Sequence, residues 1–138
     1  MKKPLKTIIY VVFIFGLVGI LAAILLYNKP HKNLLRNKPD YVMDAYDLQK
    51  EFESDESVAT AKFLNKNLEV RGMISDMNLK DGKVISISLQ TGNETSAVIC
   101  NLGKLIDAEI IDKNKPVTVR GELSGFLMDV LLINCIIL

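Results

Sequence analysis

The chain has 138 residues, 49% of them hydrophobic and 24% charged, with a formal net charge of +1. That length holds one ordinary domain plus an appendage and excludes a multidomain enzyme. The neutral sum hides a division: residues 1–39 carry +7 with no acid, whereas residues 40–138 carry all sixteen Asp/Glu and a net −6.

The leader, residues 1–27, is dominated by Ile8–Tyr27, 20 consecutive residues without a charge, an amide or a proline. As a helix rising about 1.5 Å per residue it spans about 30 Å, the thickness of a bilayer's hydrocarbon core. Tyr10 and Tyr27 lie near its ends, where aromatic rings favour the headgroup level. A cleaved signal peptide usually has an apolar core of about 7–15 residues, and Ile24-Leu25-Leu26-Tyr27 after Ala22-Ala23 makes a poor cleavage site. An uncleaved signal anchor is therefore the expected reading. Lysines flank both ends, so the charge balance does not set orientation. The short basic tail before a first apolar segment favours an inner-membrane, single-pass protein with its domain periplasmic or otherwise extracytoplasmic.

Residues 28–39 are polar, basic and bracketed by Pro30 and Pro39, as in an extended tether. His31, the chain's one histidine, has no second ligand or base nearby. Residues 40–138 form the folded domain. Asp44 is placed to cap a helix whose Leu48 and Phe52 share a face, and a second helix runs from about Asp55 to Leu64 with Ala59 and Phe63 at the same spacing. Glu51, Glu53, Asp55 and Glu56 read as solvated helix faces.

From Leu68 the hydrophobic period changes to 2. Leu68, Val70, Gly72 and Ile74 mark a half-buried strand, and Lys80-Asp81-Gly82-Lys83 is a turn. Ile85, Ile87 and Leu89 then alternate with Ser86, Ser88 and Gln90. A third strand is predicted over Ser96–Leu102, a short helix over Gly103–Ile111, a fourth strand from Pro116, a turn at Ser124-Gly125 and a fifth strand over roughly Leu127–Ile137. Leu131, Ile133, Cys135 and Ile137 are expected to share one face of that last strand. The order β-β-β-α-β-β is the layout of an OB fold. The expected class is mainly β: a five-stranded OB-fold barrel over about residues 67–138, preceded by two short helices and the transmembrane helix. Gly72 and Gly121 fall where strands of a small barrel bend.

Asp55-Glu56, Ala61–Lys66, Val70-Arg71-Gly72, Val119-Arg120-Gly121, Gly125–Val130 and Asn134-Cys135 together resemble the bacterial tRNA_anti-like family of OB-fold proteins. The resemblance covers about residues 40–138, extends to the linker Asn28–Lys32, and implies the same fold. Members are often described as lipoproteins; this chain departs from that pattern, having no cysteine near the leader to accept a lipid.

The domain's chemistry narrows its function. Single-strand binders on this fold use a basic groove and aromatic platforms. Here the domain is acidic, Phe126 is the one aromatic from Leu68 onward, and missing positive charge removes most nonspecific phosphate affinity. Nucleic acid is thus the second reading. No triad, phosphate loop or metal-ligand spacing is present, so no enzyme activity, cofactor or metal is expected. The terminal Cys135-Ile136-Ile137-Leu138 has the form of a prenylation box, but its thiol belongs to a strand. Asn93-Glu94-Thr95 matches a glycosylation sequon, and a hairpin turn explains those residues equally well.

The expected role is a membrane-anchored, non-catalytic binding or scaffold module at the bacterial cell envelope, with a protein partner favoured over a saccharide or small ligand. Candidate contacts are Phe126, Met128 and Asp129 beside the last turn, with Ser86 and Ser88 on strand two. Phe126 is either an interface anchor or a plug over the barrel mouth. Cys100 and Cys135 fall on strands that neighbour each other in an OB barrel, so they could form a disulfide outside the cytoplasm or two small buried hydrophobes inside it.

Overall fold

The computed structural model describes residues 3–27 and 36–138. The leader and the folded body are separate units. Helix α1 spans Lys3–Tyr27. Its Lys6–Tyr27 stretch has mean hydropathy 3.0 and no buried part, making it long and apolar enough to cross a bilayer. The tether residues 28–35, His31 among them, lie outside the described residues.

The body begins with a strand absent from the sequence reading, β1 (Tyr41–Asp44), which pairs in parallel with β2 (Asn67–Gly72). A reciprocal clamp fixes this pairing. Asp40 donates its backbone N–H to the Asn67 carbonyl at 2.7 Å, and Asn67 N–H donates to Asp40 Oδ2 at 2.8 Å. Two helices follow as expected: α2 (Ala45–Ser54) and α3 (Glu56–Phe63). Asp44 occupies the N-cap of α2 without a side-chain bond, whereas Asp55 Oδ1 accepts the Val58 N–H at 3.0 Å and caps α3. The predicted stripes are buried: Leu48, Phe52, Ala59 and Phe63 all enter the core. Burial of each large side chain contributes about 2–3 kcal/mol.

The remaining strands are β3 (Ile74–Lys80), β4 (Lys83–Gln90), β5 (Ala97–Asp107), β6 (Val117–Leu127) and β7 (Asp129–Ile137). They join β1 and β2 in one mixed sheet of order β1-β2-β6-β7-β5-β4-β3. This corrects the expected five-stranded barrel: the sheet has seven strands and is not closed. β1 adds one strand, and the predicted first strand is cut at Met73 because β2 pairs with β6 while β3 pairs with β4.

Bulges account for the other departures. Irregular pairing between Val84 and Ser86 shifts the phase of β4, so Val84, Ile87 and Leu89 are buried and Ile85 is only half-buried. In β7 the buried residues are Val130, Leu132 and Cys135; of the predicted row Cys135 is buried, whereas Leu131, Ile133 and Ile137 are only half-buried. Asn134, at φ 54°, supplies the extra residue that changes phase. The predicted helix over Gly103–Ile111 shrinks to a 3-10 turn, Ala108–Ile110. Residues 103–107 instead extend β5 to pair with the start of β4, Ile106 opposite Val84 and Asp107 opposite Lys83. Ser124-Gly125 is a bulge within β6 rather than a turn; the chain reverses at Met128, with Leu127 opposite Asp129. The turn at Asp81-Gly82 is as predicted, with Asp81 at φ 52° and Lys80 opposite Lys83.

Gly72 and Gly121 answer to close packing. A Cβ on Gly72 would lie 3.1 Å from Ala45 Cβ at the start of α2. One on Gly121 would collide with Cys135 Sγ and lie 3.2 Å from the Ile133 carbonyl oxygen. Cys100 and Cys135 are both buried, free thiols on adjacent strands. A hydrogen bond with Cys135 and burial, in that order, push the Cys100 thiol well above its ordinary range. Cys135 therefore belongs to the core, as its strand position implied.

Candidate functional site

Helix α2, the β4–β5 loop and the β6–β7 turn build one end of the body. The buried stripe of α2 runs Ala45, Leu48, Gln49 and Phe52, so an amide stands where the helical period calls for an apolar side chain. Gln49 is 2% exposed. Its Nε2 donates to Glu53 Oε1 and to the Met128 carbonyl, each at 3.2 Å. Both acceptors fix the amide's orientation, and its Oε1 is buried with no donor among the described residues.

That bond ties the turn to α2. A second tie comes from Asp129, whose Oδ1 accepts the Ala97 N–H at 2.8 Å at the start of β5. Met128, held at φ 67°, is thus clamped on both sides. The side chains of Leu127 and Met128 project outward, 90% and 70% exposed. Phe126 turns the other way and stacks on Phe52, with ring centroids 4.8 Å apart and planes inclined 18°.

The β4–β5 loop is ordered by its own polar groups. Thr91 Oγ1 donates to the Ser96 carbonyl at 2.7 Å, and Asn93 Oδ1 accepts from Thr95 N–H at 3.1 Å and Thr95 Oγ1 at 2.9 Å. The sequon's asparagine is thereby engaged in a turn.

Two grooves flank this loop. One, about 590 Å³, is lined by Gln49, Glu53, Glu56 and Phe126–Met128, together with Asn93, Thr95 and Ser96. The other, about 580 Å³, is lined by Ser75, residues 90–97 and Asp129. Of the predicted contact residues, Phe126 and Met128 therefore share the first groove and Asp129 lines the second. Ser86 and Ser88 line neither: both are half-buried on β4, opposite Asn101 and Ile99. The β3–β4 turn, Asp81-Gly82, lies at the Asp107–Ala108 end of β5, away from the Ala97 end that meets Asp129. Sequence reasoning missed Gln49 and Leu127. The signal for Gln49 was present, an amide inside the apolar stripe of α2.

The carboxylates of this end have defined tasks or none. Glu51 pairs with Lys62 at 3.2 Å, Asp55 caps α3, Glu53 holds Gln49, and Glu56 lines the groove. Elsewhere, a bond from the Asn114 N–H and the nearby Lys115 ammonium hold the exposed Asp112 below its ordinary range. Among the described residues no group of three or more His, Cys, Asp or Glu side chains could hold a metal ion. What the site can offer is hydrogen-bond acceptors, negative charge and an apolar lip.

Comparison with known proteins bears on the fold. Curated proteins give no match. A crystal structure from Klebsiella pneumoniae subsp. pneumoniae, described as a "putative nucleic acid-binding lipoprotein", superposes with a TM-score of 0.54 at 15% identity, covering 80% of this chain and 99% of that one. At that identity the likeness speaks for shared architecture. The model of the tRNA_anti-like family matches residues 1–137, and with nearly the whole length accounted for, the chain belongs to the tRNA_anti-like family of OB-fold proteins.

Proposed function

We propose that the protein is a membrane-anchored, non-catalytic binding or scaffold module at a bacterial cell envelope, and that its partner is a protein. α1 is the anchor, and the body is displayed outside the cytoplasm. Within the body we read β2 and β3 as one bent first strand, so that β2–β3, β4, β5, β6 and β7 stand for the five strands of the OB layout. The observation that carries the binding reading is the clamped β6–β7 turn, which holds two large apolar side chains, Leu127 and Met128, out in solvent. An exposed apolar pair on a fixed backbone suits an interface, since little ordering entropy is lost on contact.

Oligonucleotide binding is the second reading, favoured by the description of the Klebsiella neighbour. Against it stand the acidic body and the lack of aromatic side chains on β4 and β5. Full-length protein crosslinked in native membranes tests both. It should stay in the pellet through a carbonate wash and carry a protein adduct, while leaving a single-stranded oligonucleotide unbound at low salt. Release into the supernatant would make the leader a cleaved signal, and tight oligonucleotide binding would promote the second reading.

A further inference from the structure

The groove beneath the β6–β7 turn has one sign of charge. Glu53 and Glu56 stand on its helical side, among the described residues no Lys, Arg or His lines it, and Phe126, Leu127 and Met128 form its apolar side. The neighbouring groove repeats this sign with Glu94 and Asp129. Gln49, 2% exposed in the same wall, donates its Nε2 to Glu53 Oε1 and to the Met128 carbonyl and so holds the acidic and apolar sides of the groove together.

We infer that this groove receives a cationic, amphipathic segment of a protein partner, an inference that rests on the protein-binding reading above. Lysine or arginine side chains bring several N–H donors each and meet Glu53 and Glu56 on the helical side of the groove. An apolar side chain of the same segment lies on Leu127, Met128 and the edge of Phe126. Phosphate-bearing occupants, whether nucleic acid or anionic lipid, meet repulsion from the same carboxylates.

The test uses the full-length protein in phosphatidylcholine nanodiscs and short fluorescent peptides of alternating lysine and leucine or glutamate and leucine. The lysine–leucine peptide should bind, lose affinity as salt rises, and bind about five- to tenfold more weakly to Glu53→Gln/Glu56→Gln and to Leu127→Ser/Met128→Ser, both with unchanged melting temperature. Equal binding to wild type and both double variants overturns the inference, as does preference for the glutamate–leucine peptide, a single-stranded oligonucleotide or phosphatidylglycerol vesicles. The two readings fail separately. Partner crosslinks that survive both double variants leave the protein-binding reading standing and remove this groove from it. Peptide binding as predicted with no protein adduct in membranes leaves the groove's chemistry standing and removes the native partner.

Discussion

Gly121 shows how a single residue can be fixed by a neighbour rather than by its own backbone. The space a methyl group would need is occupied by Cys135 Sγ, with the Ile133 carbonyl and Leu132 Cβ close behind. Gly121→Ala should therefore lower the melting temperature by at least several degrees, as overpacking typically costs about 1–3 kcal/mol. Adding Cys135→Ala should restore part of the loss, and thermal unfolding of the two single variants and the double variant checks the coupling. The buried thiols make a second prediction. Because the folded state raises the Cys100 pKa, the stability it contributes is full below the unfolded thiol range, about pH 8.5, and is lost as pH rises through the folded value. Denaturant titrations should show stability declining above about pH 8.5, with a flatter profile for Cys100→Ala. Native protein should also resist alkylation until it is unfolded; rapid labelling at neutral pH would mean that the thiols are accessible.

At the scale of elements, Phe126 belongs to the contact between β6 and α2. It is half-buried and stacked on Phe52, which in turn packs against Phe63 at 6.1 Å. Phe126→Ala should cost about 1–3 kcal/mol from lost area and ring stacking. The melting temperature should fall by several degrees, whereas Leu127→Ser should leave it nearly unchanged. A neutral Phe126→Ala that abolished partner capture would instead make this ring an interface anchor. The contrast between adjacent residues explains what the sequence disclosed and what it withheld. Helices α2 and α3 were legible because Leu48/Phe52 and Ala59/Phe63 repeat at helical spacing beside capping acids. The Asp81-Gly82 turn was legible for its residue types. Bulges were not: the extra residues in β4 and β7 shift the inward row part-way along each strand, so that Val84 is buried in place of Ile85 and Val130 and Leu132 in place of Leu131 and Ile133, and nothing local to Ile85 or Ile133 announces that. β1 was hidden because four residues paired in parallel to a distant strand have no periodicity to read. The clamped turn at Met128 depends on Gln49, 79 positions away, and only the assembled fold brings them together.

For the whole molecule, the division of charge and hydropathy seen at the outset becomes a division of labour. In the proposed account an apolar helix with basic flanks supplies attachment, and an acidic OB-fold body supplies a contact surface at the end where α2, the β4–β5 loop and the β6–β7 turn converge. The acidic body also sets the salt response: partner binding driven by Glu53 and Glu56 should weaken as ionic strength shortens the Debye length, about 10 Å at 0.1 M. The central claim is that this end of the body meets a protein. Its most direct test is a photo-crosslinking amino acid placed at Leu127 in the full-length, membrane-bound protein, with Ile110, also an exposed aliphatic residue, as the control position. The account predicts a protease-sensitive, nuclease-resistant adduct at Leu127 and none at Ile110. A nuclease-sensitive adduct, or equal labelling at both positions, would contradict it.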